Sequence, residues 1–267
     1  MGDKSVIKKL AKYYMIFVVL KTIAKIILAI LVGVLLIIVT QNLVNIGGNN
    51  DANSSISGTV NDEEIKNVMA MTDEQVWKGL TGGVISQRPA DKHPSNESAI
   101  NAGVAEQLVD ITIPIRVWSN GSGMGTKQDH MTIRVNKLLS GVWLAFFTDV
   151  YNQAPDFVID RSTTGGYGTR GGSTGMQSGH PYGAAVDINW DTVGNRYEDT
   201  PYTETKWKAL KQSHSKYQVI YQNSAIVQIA HKYTLCWGGD WRHPRDGMHF
   251  SFIGDWSRSE LIKKYGN

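Results

Sequence analysis

Residues 26–39 run for 14 positions without a polar side chain, and residues 13–20 ahead of them are equally apolar. A bilayer core takes about 20 residues of helix, and residues 22–43 reach that length when Lys25 turns its ammonium back toward the headgroups. The pattern predicts one transmembrane helix within residues 22–46. Residues 47–60 that follow are small and polar and read as a flexible tether.

Beyond the tether the periodicity becomes that of a folded domain. Ile65, Val68, Met69, Val76 and Leu80 recur at helical spacing over residues 62–80, and Thr72 followed by Gln75 is a capping-box start inside that stretch. Residues 82–102 are polar, carry Pro89 and Pro94, and read as a surface loop. Ile111, Ile113, Ile115 and Val117 alternate as in a half-buried strand, and a glycine-rich turn follows at 119–125. Val135, Leu138, Leu139, Val142, Trp143, Phe146, Phe147 and Val150 repeat at three and four, predicting an amphipathic helix over 134–151 with its aromatics in the core. Short strands are expected at 157–159, 184–188 and 248–253, helices at 202–210 and 224–233, and a glycine-rich loop at 165–175. There is no internal repeat. The fold class is α+β, with an antiparallel sheet, flanking helices and one transmembrane helix ahead of them.

Charge sharpens this picture by its distribution. The 267 residues hold 27 Lys and Arg against 24 Asp and Glu, a net of +3 too small to imply nucleic acid. Six lysines and a single acid, Asp3, fall in residues 1–50, a local net of +5 that leaves −2 on the remainder. All six lysines precede the apolar span, so the positive-inside rule puts residues 1–21 in the cytoplasm as a basic stub and everything after the span outside. A cleaved signal peptide is the rival reading. The basic region before the span is about 25 residues long, however, and residues 40–46 lack a small-x-small cleavage pattern, so an uncleaved anchor fits better. The chain is thus expected in a bacterial cell membrane, single-pass, with its working domain extracytoplasmic. Residues 61–129 are an accessory element or the N-terminal part of that domain, and residues 130–267 its chemical part.

One cysteine, Cys236, excludes a disulfide framework and any multi-cysteine metal site, leaving histidines and carboxylates as metal ligands. Cys236 itself reads as a small buried hydrophobe. Two segments concentrate such ligands among glycines and aromatics: Ser178-Gly-His180-Pro-Tyr182-Gly-Ala-Ala-Val-Asp187, and Trp237-Gly-Gly-Asp-Trp241-Arg-His-Pro-Arg-Asp246-Gly-Met-His249. Gly183 permits a tight path between His180 and Asp187, and His249 opens the last strand. Two imidazoles and one carboxylate make a common open zinc site, with water in the fourth position. Asp246, three residues before His249, would then sit beside the water as a general base. His93, His130, His214, His231 and His243 read as structural.

Ser-x-His-x-x-Gly-x-Ala-x-Asp followed about 60 residues later by Trp-Gly-Gly-x-Trp and Asp-x-Met-His-Phe resembles the zinc peptidase family of D-alanyl-D-alanine carboxypeptidases. That family also contains vancomycin-resistance D,D-dipeptidases and phage L-alanyl-D-glutamate endopeptidases. The likeness spans residues 132–252 and is strongest in the two motifs. It implies an α+β domain whose antiparallel sheet carries the zinc ligands His180, Asp187 and His249, with Asp246 as general base. It also implies an upstream arginine on the scissile carbonyl: Arg170 on the glycine-rich loop, with Arg161 as competitor. Trp237 and Trp241 resemble positions that shape the site, Tyr182 would line the peptide groove, and Ser178 would contact substrate or orient a metal ligand. The implied partner is a peptidoglycan stem peptide, and no protein partner is expected. A zinc-containing wall-binding module without turnover is the alternative, which intact Asp246 and Arg170 argue against. A soluble secreted hydrolase would differ only in the fate of the N-terminus.

Overall fold

The computed structural model describes residues 55–56, 61–119, 125–168, 175–192, 197–198, 203–213, 219–241 and 245–253. The expected basic stub, the span at 22–46, most of the tether, Arg170, His214 and His243 lie outside the described residues. Among the described residues no helix is long and apolar enough to cross a membrane.

A short strand β1 (Ser55–Ile56) runs parallel to β2 (Leu108–Trp118), and β2 pairs antiparallel with β3 (Thr126–Asn136) along its full length. Between β1 and β2 lie helices α1 (Asp62–Met69), α2 (Asp73–Leu80) and α3 (Glu97–Ala105). Thr72 caps α2 as its sequence requires: Gln75 N–H donates to Thr72 Oγ1 at 3.3 Å, and Thr72 N–H donates to Gln75 Oε1 at 2.8 Å. After β3 come α4 (Ser140–Gln153), β4 (Ala185–Asp187), β5 (Tyr197–Glu198), α5 (Glu204–Ser213), α6 (Ala225–Lys232), β6 (Cys236–Trp237), β7 (Arg245–Asp246) and β8 (His249–Ser251). β8 lies between β4 and β6 in a small antiparallel sheet, and β5 pairs with β7.

Val109, Ile111, Ile113 and Ile115 alternate inward on β2 and meet α4, whose Trp143, Phe146 and Phe147 are fully buried. Phe146 packs on Phe250 with ring centroids 5.7 Å apart. Because successive strand residues face opposite ways, burying Phe250 against α4 turns its neighbour His249 to the other face of β8. One apolar core runs from Ile65 on α1 to Ile253 after β8. Residues 61–129 therefore build the same core as the rest, and a division at 129/130 falls inside β3, where Asp129 pairs with Ile115 and His130 with Pro114.

Four expectations are corrected. The helix read at 134–151 begins at Ser140; Arg134, Val135 and Asn136 end β3, where Val135 lies opposite Val109 and is buried by alternation rather than by a helical stripe. Residues 157–159 form no strand and are tied to β2 through Ile159 N–H donating to Arg116 O at 2.9 Å. The loop read at 82–102 passes into α3 at Glu97, whose Ile100 and Val104 are buried. The sheet expected to carry all three ligands carries only Asp187 and His249; His180 stands on a separate 3-10 turn, His180–Tyr182.

Candidate metal centre

Asp187 and His249 are direct partners in the β4–β8 register, so their side chains leave the same face of the sheet side by side. His180 reaches them from the turn His180–Tyr182, where Pro181 fixes the backbone entry and Gly183 reverses the chain at φ +63°. A side chain at Gly183 would press on the backbone of Val135 and Asn136, so the turn sits flush against the end of β3. Asn136 N–H donates to Gly183 O at 2.9 Å, and Ser178 Oγ accepts from His180 N–H at 3.3 Å.

The three side chains converge at their ligand atoms. His180 Nε2 lies 3.1 Å from Asp187 Oδ1 and 3.2 Å from His249 Nδ1, and His249 Nδ1 lies 3.0 Å from Asp187 Oδ1. All three residues are buried, at 2%, 4% and 7% exposure, and form a group able to hold a metal ion. The other nitrogen of His180 is also engaged: Nδ1 lies 2.8 Å from Gly166 O, an acceptor only, so Nδ1 carries a proton and Nε2 is the nitrogen turned toward Asp187 and His249. Two imidazole nitrogens and a carboxylate oxygen packed together in a dry site require cations between them, either protons or a metal. Ligands about 2.0–2.2 Å from a tetrahedral zinc stand roughly 3.3–3.6 Å from one another, and this triangle, with edges of 3.0, 3.1 and 3.2 Å, needs to open only slightly to reach that size. The donor set fits a zinc-like ion.

Burial by itself opposes ionisation of Asp187, but hydrogen bonds from His180 and His249 and their positive charge outweigh it. The carboxyl is held far below the usual carboxylate range. Asp187 is accordingly an anion at any physiological pH, the form a metal ligand needs.

Asp246 is buried on β7, paired in register with Tyr197 and three residues before His249. Its backbone lies against Gly238, where any side chain would collide with it. Trp237 Nε1 donates to Gly247 O at 2.9 Å and so pins the turn between Asp246 and His249. Trp241 packs its ring 5.2 Å from the His249 ring at 50°. The paired glycines and tryptophans of the second motif thus frame the carboxylate and the last ligand from one side.

Other candidates are placed differently. Tyr182, expected in the peptide groove, is fully buried: its hydroxyl donates to Met176 O at 2.7 Å and its ring meets Trp77 edge-on at 4.9 Å. It is a core residue because the turn that aims His180 at Asp187 and His249 aims Tyr182 at Trp77. Arg161 forms an ion pair with Asp129 and donates to His130 O at 2.7 Å, so its guanidinium is engaged by β3. His93 meets Glu97, and His231 meets Asp240 of the second motif at 3.2 Å. Cys236 is buried, as expected of a small hydrophobe.

Sequence reasoning missed Asn136. It is fully buried; its amide donates to Leu80 O at 3.0 Å and to Tyr182 O at 3.1 Å, and its Oδ1 accepts from Leu138 N–H at 3.1 Å. One side chain therefore joins α2, the start of α4 and the turn of His180. The polar Asn between Val135 and the Lys137-Leu-Leu run was the available signal, since a buried Asn at a strand-to-helix junction must satisfy several backbone groups.

Residues 171–252 match the family model described as D-alanyl-D-alanine carboxypeptidase, a stretch that contains His180, Asp187, Asp246 and His249. No curated protein matches the chain, and no solved structure does. Over residues 171–252 the chain is similar to the D-alanyl-D-alanine carboxypeptidase family, and that likeness supports a metallopeptidase.

Proposed function

We propose that this chain is a membrane-anchored, extracytoplasmic zinc peptidase that hydrolyses a peptide bond in peptidoglycan stem peptides, at terminal D-Ala-D-Ala or between L-Ala and D-Glu. The observation that carries this reading is the buried triangle of His180 Nε2, Asp187 Oδ1 and His249 Nδ1 within the family domain. The lysine-flanked apolar span supports the anchor and its orientation, and a tether behind it lets the domain reach the wall.

His180, Asp187 and His249 would hold the ion. Zinc, when bound, supplies Lewis-acid polarisation of the scissile carbonyl and makes water a nucleophile near neutral pH. Asp246 takes the proton of the attacking water on its carboxylate and returns it to the leaving amine as the C–N bond breaks, leaving a carboxylate and an amine. Arg170 is the proposed partner of the developing oxyanion. Trp241, its ring tilted against that of His249, covers one side of that ligand.

The test is mass spectrometry of muropeptides incubated with the full chain in detergent and zinc, which identifies the bond cut. Asp246→Asn should lower kcat by roughly 10²–10⁴-fold while one metal ion stays bound. Full hydrolysis by that variant removes Asp246 from the mechanism, and sacculus binding without product from wild type favours a wall-binding module instead.

A further inference from the structure

The segment 165–168 lies outside the matched residues and touches the metal centre from several directions. Gly165 and Asp187 exchange backbone hydrogen bonds of 3.0 and 2.9 Å, Tyr167 N–H donates to Arg134 O at 2.7 Å, and Gly168 N–H donates to His180 O at 3.4 Å. Stapled in this way to β3, β4 and the His180 turn, the segment presents the Gly166 carbonyl to His180 Nδ1 at 2.8 Å.

We propose that Gly166 is a positioning residue for metal binding, its carbonyl presetting both the ring orientation and the tautomer of His180. The proposal rests on His180 being a metal ligand. An imidazole in water exchanges its proton between two nitrogens and spins about χ2. Facing a fixed carbonyl it keeps the proton on Nδ1, because the other tautomer would set a nitrogen lone pair against an oxygen lone pair. Nε2 is then ready for a cation before the cation arrives, which is the usual benefit of an outer partner to a metal-bound histidine.

Only glycine suits this position. A Cβ at 166 would run into the carbonyl oxygen of Arg134 and come within 3.3 Å of Val135 Cγ1. The first obstacle is β3 backbone, held in the ladder with Asp110, so the segment rather than the strand must move. Its neighbours provide controls with the same chemistry: a Cβ at 165 makes an ordinary 3.5 Å contact with the Trp190 ring, and at 168 it meets nothing within 4 Å. Tolerance should therefore differ sharply over four residues of one loop.

The test is titration of the metal-stripped full chain in detergent with Co²⁺, read by visible absorption, for wild type and for Gly165→Ala, Gly166→Ala and Gly168→Ala. Gly166→Ala should bind roughly 10–100-fold more weakly, with the two controls within about twofold of wild type. Near-UV circular dichroism of the stripped proteins should be the same for all four. Equal affinity of Gly166→Ala and wild type overturns the proposal, as does equal weakening by all three variants, which would mean a general loosening of the loop. Should Gly166→Ala not fold, imidazole ¹⁵N spectra of stripped wild type at neutral pH decide: a His180 proton on Nδ1 supports the role and one on Nε2 overturns it. Failure of wild type to bind Co²⁺ at all would sink the metal centre itself and this inference with it.

Discussion

Asp187 and His249 are register partners across β4 and β8, with Oδ1 and Nδ1 3.0 Å apart on the buried face of the sheet. Two of three ligands are thus placed by main-chain pairing and need no loop to bring them together. A one-residue slip of β8 would turn Phe250 into the site and His249 into the core, so packing of Phe250 on Phe146 protects the centre.

Replacing Asp187 by Asn keeps the size of the side chain and removes the anion. The ligand set then has lost its one negative charge, and affinity should fall by more than the roughly 10–100-fold typical of losing an outer partner. His249→Ala should do the same. Equilibrium dialysis against limiting zinc measures both, and retained stoichiometric zinc in either variant would reject the ligand set.

Tyr182→Phe separates a core residue from a groove residue. It removes the hydroxyl bonded to Met176 O and leaves the ring against Trp77, so stability should fall by about 1 kcal/mol with KM unchanged. A raised KM at unchanged stability would return Tyr182 to the groove.

Asn136→Ala strands the carbonyls of Leu80 and Tyr182 and the amide of Leu138 in the interior. The expected cost is about 3 kcal/mol in urea-induced unfolding. Because one of those carbonyls belongs to the His180 turn, metal affinity should fall in the same variant. A stability loss below about 0.5 kcal/mol would show that water replaces the amide at no penalty.

The junction of α4 and α6 should give an alkaline limb. Burial and then the carboxylate of Asp149, which accepts from the Tyr233 hydroxyl at 2.8 Å, push the Tyr233 phenol up from 10.0 to about 12. A pKa raised on folding gives stability that is complete below the unfolded value and lost as pH rises through the folded one. Wild type should therefore lose stability relative to Tyr233→Phe between pH 10 and about 12. Lys232, also bound to Asp149 at 2.7 Å and likewise raised, titrates in the same direction. Urea unfolding of both proteins across that range checks it, and parallel curves would discount the hydroxyl.

Much of this arrangement is legible in the sequence because it is local. The capping box at Thr72, the alternation of β2, the spacing of His180 to Asp187 and that of Asp246 to His249 are each written within a dozen residues or so. The missed features depend on what lies opposite. Val135 fits a helical stripe as well as a strand alternation, and only Val109 across the ladder decides between them. Tyr182 beside a ligand suggests a groove, yet a tight turn sends neighbouring side chains in opposite directions. The two carbonyls that the Asn136 amide holds lie 56 and 46 residues away, too far for local spacing to announce.

The β2–β3 hairpin bears on how far this peptidase can be shortened. A gene fragment beginning at residue 130 would look like a complete cassette, since it contains both motifs. It would lack all of β2 and the first four residues of β3, leaving Ile133 and Val135 on a strand with a bare hydrogen-bonding edge. Such an edge recruits another copy of itself. A transplantable unit must therefore start upstream of α1, because the strand that closes the edge of β3 and the helices that share its core all precede residue 130.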